Sequence, residues 1–360
     1  EREREMREEV VVIVGAGQSG LATAACLTAL SVPCLILERD DCIASIWRKR
    51  CYDRVTLHLK KQYSQLPHAP HPPETPTYMP KWDFIRYLDD YAARFRLRID
   101  LRREVVSAEY DEAEGRWRVK ARRGEDGGVE EYAARYLVVA SGENDEMVVP
   151  EIPGLAEFGG TVVHSSVYRS GSEYEGKAVL VVGCGNSGME VALDLAEHGA
   201  RTCIVVRSRV CVSVLHIVSK EIWAVAMLFM RFLPCRLLDS LILLLCRLKF
   251  GDLSEHGLHR PRKGPMYLKK YTRIYPVVDV GTVEKIKSGE IQVLNNGHGL
   301  QGDDYLIDED GMAKQEFPGH WKGKNRLYCA GLATKGIYGC AEDAEGIASD
   351  IACDYRCQKR

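Results

Sequence analysis

Two positions carry the sharpest chemistry in this 360-residue sequence: Glu38 and Arg207. Each follows a glycine loop of the same form at nearly the same distance. Gly15, Gly17 and Gly20 make G-x-G-x-x-G in VGAGQSG, and Glu38 comes eighteen residues after the last of them. Gly183, Gly185 and Gly188 repeat the spacing in VGCGNSG, and Arg207 follows nineteen residues on. In such a motif the first glycine permits a tight turn, the second lets the backbone approach a pyrophosphate, and the third lets the next helix pack close to the strand. The helix start then offers free N–H groups and the positive end of its dipole to the anion. Gly15, Ala16, Gly17, Gln18, Ser19 and Gly20 therefore form one candidate dinucleotide loop. Gly183, Cys184, Gly185, Asn186, Ser187 and Gly188 form a second.

The residues after the loops divide the two sites. A carboxylate at the position of Glu38 accepts hydrogen bonds from ribose hydroxyls and repels a 2′-phosphate, which favours FAD or NAD. A guanidinium at Arg207, with Ser208 beside it, pairs with a 2′-phosphate and points to NADPH. One site of each kind in one chain implies electron transfer from NADPH to a bound flavin.

The elements that must position these residues are legible around them. Val10 to Val14 and Ala178 to Val182 are short continuous apolar runs of the kind expected for strands covered on both faces. Cys34 to Leu37 and Cys203 to Val206 are the next strands, ending at Glu38 and Arg207. The pattern predicts an α/β protein with two Rossmann-like dinucleotide-binding domains, the NADPH domain inserted into the FAD domain. We place the first part of the FAD domain at 1–165, the NADPH domain at 166–300 and the return to the FAD domain at 301–360. The apolar stretch from Ile222 to Phe250 is interrupted by Arg231, Pro234, Arg236, Asp239 and Arg247, short of the roughly 20 apolar residues that a spanning helix needs. It predicts two short helices around Pro234, packed in the core, over a substrate pocket or on a membrane surface.

Bulk properties narrow the partners. A net charge of −2 gives no electrostatic footprint for nucleic acid and favours a small molecule. Thirteen cysteines form no C-x-x-C, and most sit singly in apolar runs such as Ala25-Cys26-Leu27, as reduced residues of a cytosolic protein do; no metal site is expected. The charged first residues and the short apolar run behind them do not make a secretory leader.

Without a redox C-x-x-C the electrons of the flavin need another acceptor, and molecular oxygen is the obvious one. Between the fingerprints, FGGTVVHSSVY matches F-x-G-x-x-x-H-x-x-x-[FY] at Phe158, Gly160, His164 and Tyr168, and so resembles the signature of class B flavin-dependent monooxygenases. We read His164 as a structural histidine in preference to a proton-transfer group. The stretches SIWRKRCYDRVTLHLKKQYSQLP, LVVASGENDEMVVPEIPG and WKGKNRLYCAGLATKGIYGCAEDAEGIASDIA resemble, more closely, the plant YUCCA flavin monooxygenases.

That resemblance implies an NADPH- and FAD-dependent oxidative decarboxylation of the keto acid indole-3-pyruvate to the auxin indole-3-acetate, through a flavin C4a-(hydro)peroxide. It implies Trp47, Leu57, His58 and Gln62 as weaker flavin contacts, and a cytoplasmic enzyme with peripheral contact to the endoplasmic reticulum surface. No catalytic side chain is required, because the cofactor carries the chemistry and the protein supplies position and dryness.

One stretch departs from the family pattern. After Ile291 to Leu294, Asn295-Asn296-Gly297 reads as a turn and leads directly into GDDYLIDEDG. The strand pair and the A-T-G-Y type strand that should close the NADPH domain are missing there. The sequence thus predicts an NADPH domain truncated near 294–302, with an unpaired sheet edge, and leaves open an inactive or regulatory flavin-binding variant.

Overall fold

The computed structural model describes residues 6–124, 126–149, 152, 154–207, 217–229, 232–259, 264–272, 276–296, 321–322, 326–330 and 337–357. The chain forms two compact units: Glu1–Arg50, Lys60–Met147 and Leu306–Arg360 make the first, and Cys51–Leu59 with Val148–Tyr305 the second. The second unit therefore starts earlier than the predicted 166 and includes a nine-residue segment from the region assigned to the flavin domain.

The first unit begins with the predicted strand-loop-helix-strand: β1 (Arg7–Val14), α1 (Gln18–Ala29) and β2 (Cys34–Leu37). Short helix α2 (Ser45–Lys49) and the longer α3 (Lys81–Arg94) follow, then β3 (Ile99–Asp100) and the meander β4 (Arg103–Asp111), β5 (Arg116–Arg123) and β6 (Val129–Val139). β1 lies between two parallel partners, with Val12 opposite Leu35 of β2 and Leu137 of β6. That placement explains its unbroken apolar run, since a strand with both faces covered has no reason to alternate.

The second unit repeats the pattern with β7 (Ala178–Val182), α4 (Asn186–Glu197) and β8 (Arg201–Arg207). It continues through β9 (Ile217–Ser219), α5 (Lys220–Phe229), α6 (Cys235–Phe250), α7 (Pro265–Thr272), β10 (Val277–Asp279), α8 (Thr282–Lys287) and β11 (Ile291–Asn296). The helix pair around Pro234 is as predicted, because proline suits a helix start and breaks a helix interior. β7, β8 and β11 form a parallel sheet in the order β11-β8-β7, and β9 pairs in parallel with β10. The core of this unit joins Met189 and Ala192 of α4 to Trp223, Ile242 and Phe250 of the helix pair.

Two features bear on the predicted truncation. β11 runs through Asn295 and Asn296 rather than turning at them, since Asn296 pairs with Arg207 along β8; ladder pairing overrides a local turn signal. Residues 297–320, where the missing strands were predicted, lie outside the described residues. Among the described residues β7 pairs only with β8, and its Leu180 and Val182 are 54% and 56% exposed.

The chain then returns to the first unit as β12 (Leu327–Cys329) and α9 (Ile337–Cys357). β6 is long enough to serve two partners along one edge, with β5 antiparallel to Val129–Ala134 and β12 parallel to Leu137–Val139. α9 lays Cys340, Ala344, Ile347, Ala348, Ile351 and Ala352 against the small residues of α1. This stripe at helical spacing buries two isoleucines, each worth about 1.5–3 kcal/mol. Asp350 and Asp354, one turn apart on α9, accept hydrogen bonds from Tyr328 of β12 and Tyr136 of β6, each at 2.6 Å.

Candidate dinucleotide sites

Both glycine loops adopt the same geometry. Gly15 has φ +103° and donates its N–H to the Leu37 carbonyl at 2.8 Å; Gly183 has φ +106° and donates to the Val205 carbonyl at 3.2 Å. Such positive φ values favour glycine. A Cβ on Gly20 would come within 2.0 Å of the Gly15 oxygen, and one on Gly188 within 2.0 Å of the Gly183 oxygen, so each helix packs directly on its own turn. The middle glycines differ: a Cβ on Gly17 or Gly185 would meet nothing within 4 Å. That open space lies beside an uncapped helix start, since neither α1 nor α4 has a side-chain cap on its first N–H groups.

Glu38 follows β2 and is buried. Its Oε2 accepts from the Ala16 N–H at 2.7 Å and its Oε1 from the Asp40 N–H at 2.9 Å. A carboxylate has about four acceptor sites, so these bonds fix its orientation and leave capacity for ribose hydroxyls. Asp40 beside it is raised by burial, but hydrogen bonds from Arg50, Ser45 and Lys49 bring its carboxyl below the usual value. At the matching place in the second unit Arg207 ends β8; its side chain, and the whole of Ser208, lie outside the described structure.

Some predicted cofactor residues also have structural work. The Trp47 indole N–H donates to the Gln18 side-chain oxygen at 3.2 Å, and its ring meets Phe84 of α3 edge-on at 5.0 Å, so Trp47 stands directly on the first loop. Gln62 is exposed in a short turn, Lys61–Tyr63. The Asn186 side-chain oxygen accepts from the Val278 N–H at 2.7 Å, joining the second loop to β10. Burial pushes the Cys340 thiol up to about 11, so this cysteine packs as a neutral group.

Leu57 and His58, predicted with the flavin, belong to the second unit. Leu57 is buried, and His58 Nε2 is hydrogen-bonded to Glu190 Oε1 of α4. Their neighbours follow the same helix. Tyr52 packs edge-on against Tyr168 at 6.4 Å, and Arg54 donates to Glu197 at 2.5 Å and to Asp194 at 3.4 Å. Glu190 and Asp194 are functional candidates that motif reading passed over. Their signal was present, as two acids four residues apart in the apolar helix MEVALDLAE.

The histidine signature is a local turn docked on this helix. His164 Nδ1 bonds the Ser166 hydroxyl at 2.8 Å and accepts its N–H at 3.2 Å, while the His164 carbonyl accepts the N–H groups of Val167 and Tyr168. The Tyr168 hydroxyl then donates to Asp194 at 2.6 Å, beside the Gly171 N–H at 2.7 Å. This geometry accords with a structural histidine. The F-x-G spacing has an equally simple cause, because the Phe158 ring lies 2.6 Å from where a Cβ on Gly160 would stand.

A family model described as pyridine nucleotide-disulphide oxidoreductase matches residues 12–222, although this chain has no C-x-x-C. The chain is 44% identical to the probable indole-3-pyruvate monooxygenase YUCCA10 of Arabidopsis thaliana over 377 aligned positions, covering 96% of this chain and 97% of the relative. It is 47% identical to the probable indole-3-pyruvate monooxygenase YUCCA9 of the same plant, at 96% and 89% coverage. Identity to the indole-3-pyruvate monooxygenase YUCCA1 of Oryza sativa subsp. japonica is 42%, at 96% and 92% coverage.

The aligned length exceeds the 360 residues present here, so the relatives carry residues within the matched span that have no counterpart in this chain. Among solved structures, an oxidised steroid monooxygenase bound to NADP matches with TM-score 0.72 at 18% identity, over 97% of this chain and 86% of the other. A flavin-containing monooxygenase from Stenotrophomonas maltophilia matches with TM-score 0.66 at 17% identity, over 97% and 100%. Those two likenesses establish the two-domain dinucleotide-binding fold, and the identities above establish the family: the chain belongs to the YUCCA indole-3-pyruvate monooxygenases.

Proposed function

We propose that this protein is an NADPH- and FAD-dependent monooxygenase that converts indole-3-pyruvate, oxygen, NADPH and a proton to indole-3-acetate, carbon dioxide, water and NADP+. The observation that carries this reading is the duplicated loop with opposite strand ends, Glu38 just after β2 and Arg207 at the end of β8. Bound flavin supplies hydride acceptance and oxygen activation. On this reading the N–H groups around Ala16 to Ser19 hold the FAD pyrophosphate, and Glu38, held by the Ala16 and Asp40 N–H groups, accepts the ribose hydroxyls. Trp47 steadies that loop through Gln18. Gly183 to Gly188 hold the NADPH pyrophosphate, and Arg207 with Ser208 receives the 2′-phosphate. Leu57, His58 and Gln62 remain as weaker flavin contacts.

No helix among the described residues is long and apolar enough to cross a membrane. We infer a cytoplasmic enzyme that touches the endoplasmic reticulum surface through α6. Leu237, Leu244 and Leu248 lie along one exposed side of that helix, at 60%, 55% and 74% exposure, with Arg236 and Arg247 exposed nearby. An apolar stripe with a basic rim suits the boundary of an anionic bilayer.

The test is to express the chain with excess FAD, record flavin absorbance, and follow NADPH consumption and indole-3-acetate formation with and without indole-3-pyruvate. Product formation supports the reading. Bound flavin without turnover would make the chain a flavin-binding variant, and turnover with only a sulfur- or nitrogen-containing substrate would reassign it.

A further inference from the structure

Six prolines stand in PHAPHPPETPTYMP, from Pro67 to Pro80, a run that lacks the N–H groups a helix or ladder needs. Its carbonyls must find donors elsewhere, and Lys61 provides them. The Lys61 ammonium donates to the carbonyl oxygens of Pro73 at 2.6 Å, Thr75 at 2.8 Å and Pro72 at 3.3 Å. An ammonium has three N–H bonds, and this cradle offers three acceptors to match. The main chain of the same residue closes the loop as well. The Lys61 N–H donates to the Thr77 carbonyl at 2.8 Å, and the Lys61 carbonyl accepts the N–H and the hydroxyl of buried Ser64 at 3.1 and 3.2 Å.

The loop that Lys61 closes is docked on α3. The Tyr87 hydroxyl accepts the Leu66 N–H at 2.7 Å and donates to the Ala69 carbonyl at 2.8 Å, and the His71 ring lies 4.2 Å from the Tyr87 ring. From Tyr87 the contact passes to Phe84 at 6.1 Å and from Phe84 to Trp47 at 5.0 Å, and the Trp47 indole N–H reaches the Gln18 side chain at 3.2 Å. Every link lies in the first unit. Gln18 opens α1 on the first glycine loop, and Gln62 follows Lys61 directly.

We propose that Lys61 is a positioning residue for the flavin site, its ammonium serving as the built-in cation that closes the 61–77 loop and, through Tyr87 and Phe84, seats Trp47 on Gln18. The proposal rests on the assignment of the first glycine loop to FAD. Without the ammonium the three carbonyls turn to water, and the stack behind Trp47 loses its outer support.

The test dilutes the FAD-loaded protein and follows flavin release by the rise in flavin fluorescence. Lys61→Met, of similar length and without charge, releases flavin about tenfold faster than the wild type, the scale of a lost charge-assisted hydrogen bond. Lys61→Ala also releases quickly, and propylammonium, which replaces the deleted atoms, restores slow release in a saturable way. Tetramethylammonium at the same ionic strength does not, because it has no N–H to donate. Tyr87→Phe keeps the ring in the stack and removes only the hydroxyl tie to the loop, and it too speeds release. The double variant Lys61→Met/Tyr87→Phe is no faster than the worse single, as expected for members of one chain of contacts.

Flavin release at the wild-type rate from folded, flavin-loaded Lys61→Met or Tyr87→Phe protein overturns the proposal. So does equal rescue of Lys61→Ala by the two ammonium ions, or full additivity in the double variant. Wild-type protein that takes up no FAD overturns the flavin assignment, and the proposal with it.

Discussion

The two glycine loops are close to copies of one another, whereas the sheets behind them are not. In the first unit β1 has a parallel partner on each side, and the Gly15 turn is pressed against Ala140 at the end of β6, whose carbonyl oxygen stands 2.5 Å from where a Cβ would be. In the second unit β7 has a single partner among the described residues, and a Cβ on Gly183 would meet nothing within 4 Å. The loop conformation nonetheless recurs, with φ values of +103° and +106°. A dinucleotide loop is therefore a local device whose conformation recurs with its own strand, its helix and the next strand, whatever else flanks the sheet. The neighbour governs how well the strand is covered.

The first way to break this comparison is to fill the contact between helix and turn. Gly20→Ala and Gly188→Ala each force a methyl against a carbonyl oxygen, at a cost of about 3 kcal/mol or more because backbone must move. Gly20→Ala should empty the protein of flavin, read as the ratio of flavin to protein absorbance. Gly188→Ala should keep flavin and lose NADP+ binding by calorimetry. Flavin loss in both would mean that the loops do not act independently.

Reversing the charge at the strand ends comes next in size. Arg207→Glu should cut the preference for NADPH over NADH by ten- to a hundredfold, in line with charge-assisted hydrogen bonds of about 1.5–3 kcal/mol. Glu38→Gln should weaken FAD retention about tenfold without altering that preference. An unchanged NADPH to NADH ratio in Arg207→Glu would remove the guanidinium from the site.

The sheets themselves can be weighed with matched truncations. Val12→Ala in β1 should cost about 2 kcal/mol in urea unfolding, since the side chain is fully buried. Val182→Ala in β7, where 56% of the residue is exposed, should stay within about 0.5 kcal/mol. Equal losses would show that β7 is covered in solution.

The smallest effect concerns acid stability in the second unit. Hydrogen bonds from Ser219, its own backbone N–H and Lys249 push Glu221 down to about 2 from an ordinary 4.5. A group depressed in the folded state stabilises above its unfolded pKa and loses that contribution as pH falls through the folded value. Its share should fade between about pH 4.5 and 2, and Glu221→Gln should flatten the melting-temperature profile slightly in that window, because the group is largely exposed.

A second comparison runs between helices. α9 carries Asp350 and Asp354 and α4 carries Glu190 and Asp194, and in both cases acids one turn apart are hydrogen-bonded by side chains of neighbouring elements. In α9 the partners are tyrosines of the sheet; in α4 they are His58 of the Cys51–Leu59 segment and Tyr168 of the histidine signature. The same helical spacing thus serves to fasten a sheet in one unit and a crossing segment in the other.

Much of this was legible in the linear chain. Apolar runs of strand length located β1, β2, β7 and β8, the glycines located both turns, and Pro234 located the break between α5 and α6, because each depends on residues adjacent in sequence. The placement of 51–59 was not legible, since CYDRVTLHL has no helical period and its alternation is too short to name a partner. Nor was the burial of Glu190, Asp194 and Tyr52, which exists only because hydrogen-bond partners distant in sequence converge on α4. The strand β11 went through Asn295 and Asn296 for a related reason: pairing with β8 outweighed the local turn preference. Sequence alone determined the two loops and the contrasting groups beyond them, because turn geometry and side-chain chemistry are local. Tertiary structure alone decided which unit holds the Cys51–Leu59 segment and which strands pair among the described residues, because those outcomes depend on what long-range packing brings within hydrogen-bonding reach.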